Sequence, residues 1–285
     1  FIRYHFGGVS PDVIIPCCHG INCEDGVLQG FLEMTGIPYV GAGVLASALG
    51  MDKAMAKIVF GHAGIPQVPY VLALREDIVA DPDKILDEIE DKLAYPVFLK
   101  PSNGGSSVGT MKAQDRQSLS NALAYVSQFD RRVLVEAFVD AREVEVAVKG
   151  NLDLALAQPG EIVKDESVAY YDYETKYLAS SGAKLEIPAH LPQGTLETLQ
   201  TLAAKAYRAI GCTGLCRVDF FIDKEGQIYL NEVNTMPGFT SISLYPQAWA
   251  AEGETMAELL EELCFLAIEL KTINQKNLHE GGSNG

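Results

Sequence analysis

Apolar and polar residues alternate most clearly in two runs of the chain, residues 215–222 and 227–233. The four residues between them, DKEG, have the acid–glycine chemistry of a tight turn, so the pattern predicts a β-hairpin. We expect the turn to centre on residues 225–226, which sets the pairing of the two strands.

Four polar residues share one face of this hairpin, because side chains alternate faces along a strand. The expected register pairs Asp219 with Glu232 and Arg217 with Asn234. Like charges directly opposite in a sheet are destabilising unless a cation compensates them. Carboxylate and amide oxygens are the ligands that Mg²⁺ prefers, so the hairpin is a candidate metal site beside an arginine. The alternative is a solvated hairpin face with incidental acids.

The remaining periodicity predicts a mixed α/β chain. Helical patterns lie at 27–35, 52–63, 83–93, 119–127, 195–210 and 254–270, and strand patterns at 12–16, 37–40, 70–74, 96–100, 132–136 and 142–148. The strand–helix–strand order in residues 12–40 is typical of a parallel sheet, in which ligands bind at the carboxyl ends of strands. His19 and Glu24 are placed at such an end. Glycines at 41 and 43 interrupt the pattern, and we expect the first domain boundary near residue 50.

Composition and net charge limit the classes of partner that the protein can bind. The chain has 285 residues, of which 48% are hydrophobic and 21% charged, and its formal net charge is −16. Such composition is typical of a globular protein, and such charge argues against nucleic acid and anionic membrane as partners. Any polyphosphate ligand must then be met by a few local cations.

Six cysteines, Cys17, Cys18, Cys23, Cys212, Cys216 and Cys264, match neither a zinc pattern nor a compact disulfide framework. We therefore expect free thiols and a cytoplasmic location. We expect no signal peptide, and the apolar runs of the sequence are too short to span a bilayer.

A glycine- and serine-rich loop, PSNGGSSVG at 101–109, follows the apolar strand that ends at Lys100. Glycines and serines let backbone N–H groups approach phosphate oxygens, and Lys100 supplies a charge beside them. The loop is not a Walker A motif, because no Gly-Lys-Ser/Thr follows. A flexible surface turn is one alternative. A hydrolase is another, since GSSVG matches a nucleophile elbow centred on Ser107.

Three further segments fit nucleotide chemistry less specifically. Lys57 lies one turn after Lys53 on a predicted helix, where lysines are usually solvated. The connector 136–139, with Glu143 beyond it, offers an apolar slot for a base and a carboxylate for a ribose, although an ordinary strand–turn–strand explains it equally. The segment YYDYETKY at 170–177 suggests a lid or binding loop, and its alternative is a satellite packing cluster.

Taken together, seven stretches resemble the D-alanine–D-alanine ligases of the ATP-grasp superfamily. They are HGINCEDG, GVLASALGMDKAMAK, PVFLKPSNGGSSVG, VLVEAFVDAREVEV, YYDYETKY, RVDFFID and NEVNTMPGFTSIS, and they cover residues 12 to about 275 in the family's order.

The resemblance implies an ATP-grasp fold of three α/β domains, the first with a Rossmann-like parallel sheet. We expect an N-terminal substrate domain at 1–50, a central domain at 51–138, a C-terminal catalytic domain at 139–279 and a flexible tail at 280–285. The implied reaction joins two D-alanines for peptidoglycan synthesis at the expense of ATP. The first carboxylate becomes an acylphosphate, which the second amine attacks. A homodimer is also implied.

The resemblance also implies site residues. Those that would hold ATP are Lys57, Lys100, Glu136, Val139 and Glu143. Those that would bind two Mg²⁺ ions, with Mn²⁺ as a possible substitute, are Asp219, Glu232 and Asn234. Those assigned to catalysis are Arg217, the Gly238 backbone N–H, Ser106, Lys176 and Tyr177. Those that would line the amino-acid subsites are His19, Glu24, Ser243 and Leu244. Tyr177 favours D-alanine as the second substrate.

Two departures from the family pattern generate expectations. Ala137 stands where many relatives carry a lysine that reaches adenine, so backbone groups would recognise the base. FGGVS at 6–10 resembles the family's first loop, but Pro11 follows at once, and a family glutamate that orients the first D-alanine is not found. We therefore expect a weak first subsite, with Glu24 as the candidate anion. An inactive ATP-binding relative is the alternative.

Overall fold

A computed structural model describes residues 11–105, 108–163 and 184–280, without the side chains of 275–280. The helices are α1 (Val27–Thr35), α2 (Val44–Met51), α3 (Lys53–His62), α4 (Arg75–Ala80), α5 (Pro82–Lys92), α6 (Arg116–Val126), α7 (Gln193–Ala209), α8 (Leu244–Ala251) and α9 (Met256–Glu280). The strands are β1 (Tyr70–Leu74), β2 (Val97–Pro101), β3 (Met111–Ala113), β4 (Arg132–Ala137), β5 (Ala141–Gly150), β6 (Leu154–Leu156), β7 (Gly160–Val163), β8 (Lys184–Glu186), β9 (Gly214–Asp223) and β10 (Ile228–Asn234).

The first described segment forms a minimal parallel unit around α1. Ile14 and Tyr39 form one parallel bridge, in which the Ile14 N–H donates to the Pro38 carbonyl at 2.9 Å. The predicted strand–helix–strand order is thus confirmed, although each strand is reduced to a single bridge. Asp25 accepts hydrogen bonds from the amides of Asn22 and Val27, so it fixes the entry into α1.

Helix α2 occupies residues 44–51, a stretch for which the sequence pattern predicted no helix. Asp52 is the C-cap residue of α2 and the N-cap residue of α3, and its side chain accepts a hydrogen bond from the Met55 amide. Gly50 faces the hairpin, since a methyl group there would lie 3.0 Å from the Thr235 side chain. Packing against the end of β10 stabilises this short helix.

The two sheets lie in consecutive parts of the chain. The four-stranded antiparallel sheet has the order β1-β4-β2-β3, and one of its faces packs on α5 and α6. The six-stranded antiparallel sheet has the order β10-β9-β5-β7-β8, with β6 beside β5. Helices α2, α3 and α7 cover one of its faces, and α8 with α9 covers part of the other. Strands β3, β6, β7 and β8 and helices α4 and α8 were not predicted, because their short sequences carry little periodicity.

A β-bulge sets the register of the hairpin. Near the turn Leu230 pairs with Phe220, but Glu232 pairs with Asp219, so Asn231 is the extra residue. The predicted partners of Asp219 and Arg217 are confirmed, whereas the register next to the turn differs from the expected one by one residue, since Ile228 pairs with Ile222. Because a one-residue slip exchanges the two faces of a strand, the bulge turns Glu232 out of the core.

Within the described residues no helix is both long enough and apolar enough to cross a bilayer.

Gly214 lets the loop after the parallel bridge dock against the start of β9. Its φ is +70°, and a methyl group there would lie 3.1 Å from the Gly41 backbone nitrogen and oxygen. We expect Gly214→Ala to lower the free energy of unfolding by about 1–2 kcal/mol for the left-handed backbone and by a further ~1–3 kcal/mol for overpacking. Urea denaturation measures both effects.

Gly211→Ala is the matched control, because Gly211 has a φ of +66° with no atom within 4 Å of the added methyl. Gly211→Ala should therefore lower the free energy of unfolding only through the left-handed backbone conformation. Equal destabilisation by the two substitutions would show that the Gly41 contact contributes nothing.

Candidate active site

Three charged side chains, two of them buried, join the four-stranded sheet to α3. Glu136 on β4 accepts from Lys57 of α3 through one oxygen and from Lys100 of β2 through the other, each at 2.7 Å. Glu136 and Lys57 are each only 3% exposed. Lys100 also donates to the Asn231 side chain at 3.1 Å, which connects this sheet to the hairpin bulge.

The pKa values of this triad follow from burial and from the mutual charges. Burial alone would raise the pKa of Glu136, but the charges and hydrogen bonds of Lys100 and Lys57 outweigh it and hold the pKa at about 2. Burial would lower the pKa of Lys100, yet Glu136 raises it above its usual value. Burial lowers the pKa of Lys57, which Glu136 offsets only in part. The triad carries one excess positive charge when all three groups are ionised.

Three carboxylates form a row across the six-stranded sheet. Glu145 of β5 pairs with Asp219 of β9, and Asp219 pairs with Glu232 of β10. Arg217 lies in the next row, where its Nε is 2.8 Å from Asp219 Oδ1 and 2.9 Å from Glu145 Oε2. Asn234 donates to Asp219 Oδ2 at 2.9 Å. The structure thus brings the predicted metal residues together.

Sequence reasoning missed Glu145. The alternation in REVEV (142–146) places Glu145 on the same face as Glu143, so the signal was present. Only the pairing of β5 with β9 shows that this face continues into the Asp219 row.

Lys53 connects the carboxylate row to the glycine-rich loop, a contact with no sequence signal. Its ammonium lies 3.1 Å from Glu232 Oε2 and donates to the Gly104 carbonyl at 2.7 Å. The loop is also fixed by Ser102, which donates to the Asp52 carboxylate at 2.6 Å and accepts from the amide of Ala54. The start of α3 therefore positions the loop that follows β2.

Gly238 and Ser243 lie against each other after the hairpin. A methyl group on Gly238 would come within 2.6 Å of Ser243 Oγ, so the Ser243 side chain would have to move to admit a larger residue there. Ser243 is the N-cap of α8 and its hydroxyl accepts from the Thr240 amide at 3.1 Å. The Leu244 side chain is buried in a core cluster.

His19 and Glu24 form a pair beyond the parallel bridge. His19 Nδ1 is 3.5 Å from Glu24 Oε1, while Glu24 Oε2 accepts from the Gly20 amide at 2.8 Å. Val139 and Glu143 lie after β4 and on β5, and both are partly exposed. Ser106, Ser107, Lys176 and Tyr177 lie outside the described residues, as do FGGVS and the predicted lid.

The donor set fits a divalent cation. In the described part of the chain no three His, Cys, Asp or Glu side chains already surround one point as a metal centre. Asp219 and Glu232, with the Asn234 amide, nevertheless supply three hard oxygen donors in adjacent rows, as Mg²⁺ prefers. Each carboxylate already takes a cation, because Arg217 binds Asp219 and Lys53 binds Glu232.

Comparisons with known proteins agree with this geometry. The chain matches the family model "D-ala D-ala ligase C-terminus" over residues 59–265 and "D-ala D-ala ligase N-terminus" over residues 6–42. It is 51% identical to a D-alanine–D-alanine ligase of Acetivibrio thermocellus, across 94% of the chain and 71% of that relative. It is 49% identical to that of Enterococcus hirae, across 90% and 71%.

Solved structures give the same family. The D-alanine–D-alanine ligase of Coxiella burnetii superposes with a TM-score of 0.82 at 33% identity, covering 95% of the chain and 72% of that structure. The VanG D-Ala:D-Ser ligase of Enterococcus faecalis superposes with a TM-score of 0.81 at 38% identity, covering 91% and 74%. Neither the serine hydrolase nor the inactive-relative alternative finds support in these matches. With its mixed α/β architecture and antiparallel sheets, the chain therefore belongs to the D-alanine–D-alanine ligase family of ATP-grasp proteins.

Proposed function

We propose that this protein joins two D-alanines into D-alanyl-D-alanine with hydrolysis of ATP to ADP and phosphate. The observation that carries the proposal is the meeting of two charged faces. Lys57 and Lys100 from one side lie opposite the Asp219 and Glu232 carboxylates on the other, with Lys100 only 3.1 Å from Asn231. Phosphate oxygens and divalent cations require this combination of charges.

Lys57 and Lys100 suit ATP phosphates because Glu136 holds both ammonium groups in position. A protein of net charge −16 repels a polyphosphate in general, so a local excess of positive charge is needed. The triad supplies it on a rigid strand and helix. Glu136, Val139 and Glu143 would then contact adenine and ribose, with backbone groups reading the base beside Ala137.

Asp219, Glu232 and Asn234 would hold two Mg²⁺ ions, for which Mn²⁺ can substitute. Bound there, the ions would neutralise phosphate charge and orient the transferred group. The residues' own part is to present oxygen donors at adjacent positions of one ladder. Their present partners, Arg217 and Lys53, must shift or share these oxygens when metal binds.

Arg217 and the Gly238 amide would stabilise the oxyanion that forms when the second amine attacks the acylphosphate. Preorganised donors aimed at developing charge are the usual source of such stabilisation. Arg217 qualifies because two carboxylates hold its guanidinium in place. Ser106, Lys176 and Tyr177 would complete the closed site, and Tyr177 would favour D-alanine over other second substrates.

Two subsites would receive the amino acids. His19 and Glu24 would hold the first D-alanine, with Glu24 as the anion for its ammonium group. Ser243 and the Leu244 main chain would bind the second. We further propose a cytoplasmic homodimer and domain boundaries near residues 50 and 138.

ADP release tests the proposal directly. The protein is incubated with ATP, Mg²⁺ and each of D-alanine, L-alanine, D-serine and D-lactate, and the products are identified by mass spectrometry. D-alanine should give ADP and D-alanyl-D-alanine. ATP turnover without dipeptide, or a preference for D-serine, would contradict the proposal.

We expect Lys100→Ala to raise the KM for ATP about 10- to 100-fold, because one charged hydrogen bond is worth about 1.5–3 kcal/mol. Steady-state kinetics at saturating D-alanine measure the change. Lys92→Ala is the control, since Lys92 is exposed and paired with Glu88 on the same helix. An unchanged KM in the Lys100 variant would remove Lys100 from the phosphate site.

We expect Glu136 to stabilise the fold mainly above pH 4.5. Its pKa is lowered from 4.5 to about 2, so its contribution is complete above 4.5 and is lost as the pH falls toward 2. The shift corresponds to about 3 kcal/mol. Glu136→Gln should therefore destabilise the protein strongly at pH 7 and much less near pH 3, in urea titrations.

Glu88→Gln is the control for that titration, because its carboxylate is exposed and pairs with Lys92. It should change the unfolding free energy little at either pH. An equal effect of the Glu136 substitution at pH 7 and pH 3 would show that its ionised form does not stabilise the fold.

We expect Glu232→Gln to abolish turnover while the metal-free protein melts within a few degrees of wild type. The substitution loses the Lys53 contact but relieves repulsion from Asp219, so the two effects oppose each other. Thermal melts in EDTA and ADP-release assays make the comparison. A metal-free variant that melts far below wild type would mark Glu232 as structural.

A further inference from the structure

Glu145 lies at the end of the carboxylate row and has no place in the proposed reaction so far. It is 7% exposed and directly opposite Asp219 in the β5–β9 ladder. Two like charges at such positions repel each other unless a cation lies against both. Arg217 is that cation, with its Nε 2.9 Å from Glu145 Oε2 and 2.8 Å from Asp219 Oδ1.

Asp219 has two competing tasks. Arg217 engages both of its oxygens, since Nη2 also lies 2.7 Å from Oδ2, and Asn234 donates to that same oxygen. A divalent cation on Asp219 must take a share of these oxygens and repels the guanidinium beside it. If Asp219 were the sole counter-charge of Arg217, metal binding would leave a buried guanidinium uncompensated, which is strongly unfavourable.

We propose that Glu145 is a positioning residue, which holds the Arg217 guanidinium in place while Asp219 turns to the metal. The inference rests on the proposed function, because it assigns the metal to Asp219. Glu145 then orients the Arg217 guanidinium and leaves the Asp219 carboxylate available to the metal.

The competing explanation is a buried ion pair that only stabilises the sheet. It predicts that loss of the Glu145 charge lowers the melting temperature and leaves metal binding unchanged. Our inference predicts instead that Arg217, without Glu145, holds Asp219 more tightly and weakens metal binding.

Glu145→Gln tests the inference, because it keeps the side-chain size and removes the charge. Mn²⁺ binding in the presence of ADP is measured by electron paramagnetic resonance, and the Mg²⁺ dependence of turnover by ADP release. We expect Mn²⁺ affinity to fall about 10- to 100-fold, as for other groups that support metal ligands. The Mg²⁺ concentration for half-maximal rate should rise in parallel, whereas the KM for ATP at saturating Mg²⁺ should change little.

Glu254→Gln is the matched control. Glu254 pairs at 2.6 Å with the buried Lys149, which lies on the same strand as Glu145 but four residues away from it, under α9. This variant should melt lower and bind Mn²⁺ normally. Glu145→Asp, which restores the charge on a shorter side chain, should give intermediate Mn²⁺ affinity and keeps the test available if the Gln variant does not fold.

Unchanged or tighter Mn²⁺ binding in Glu145→Gln would overturn the inference. The Mn²⁺ measurement also separates it from the proposed function. A wild-type protein that binds Mn²⁺ with ADP but makes no D-alanyl-D-alanine would refute the ligase activity alone, and the Glu145 variants would still be judged by their metal affinity.

Discussion

Asp219 and Glu232 carry like charges at directly opposed positions of one β-ladder, and the candidate site is arranged around that repulsion. Arg217 lies against the first carboxylate and Lys53 against the second. Each of these cations has a second partner that holds it in place. Glu145 forms an ion pair with Arg217, and the Gly104 carbonyl accepts a hydrogen bond from Lys53. The repulsion is therefore offset without metal, and the same oxygens remain suited to a divalent cation.

Burial strengthens the interactions of the cations that lie between the two sheets. The protein is acidic as a whole, yet Lys53, Lys57, Lys100 and Arg217 converge between the two sheets. Glu136 holds two of these lysines in low-dielectric surroundings, where their attraction is stronger than in water. Positive charge at this place follows from fixed side chains rather than from net charge, which is what recognition of a polyphosphate in an acidic protein requires.

The helices determine which sheet faces can carry such a site. Helices α5 and α6 close one face of the four-stranded sheet, and α2, α3 and α7 close one face of the six-stranded sheet. Among the described residues, α8 and α9 pack against the other face of the larger sheet around Ala147 and Leu215. Asp219 and Glu232 lie further along the same face, and Lys100 contacts Asn231 to connect this region to the smaller sheet.

The sequence by itself determined which polar residues share a face of the hairpin, because side-chain alternation is a local property of strands. It also located Lys57, Lys100 and Glu136 near recognisable strands and helices, and the family resemblance grouped them. It did not determine the bulge at Asn231, although the shift from Leu230 to Val233 in the apolar pattern was its trace.

Tertiary structure decided the rest. The pairing of β5 with β9 brings Glu145 to Arg217, and the packing of α3 brings Lys53 to Glu232 across 179 positions of sequence. The family resemblance assigned Glu136 to ATP, and the fold places its carboxylate between Lys57 and Lys100, a contact that its neighbours in sequence do not indicate. Such contacts join distant segments through register and helix packing, which depend on the whole core, so no local pattern records them.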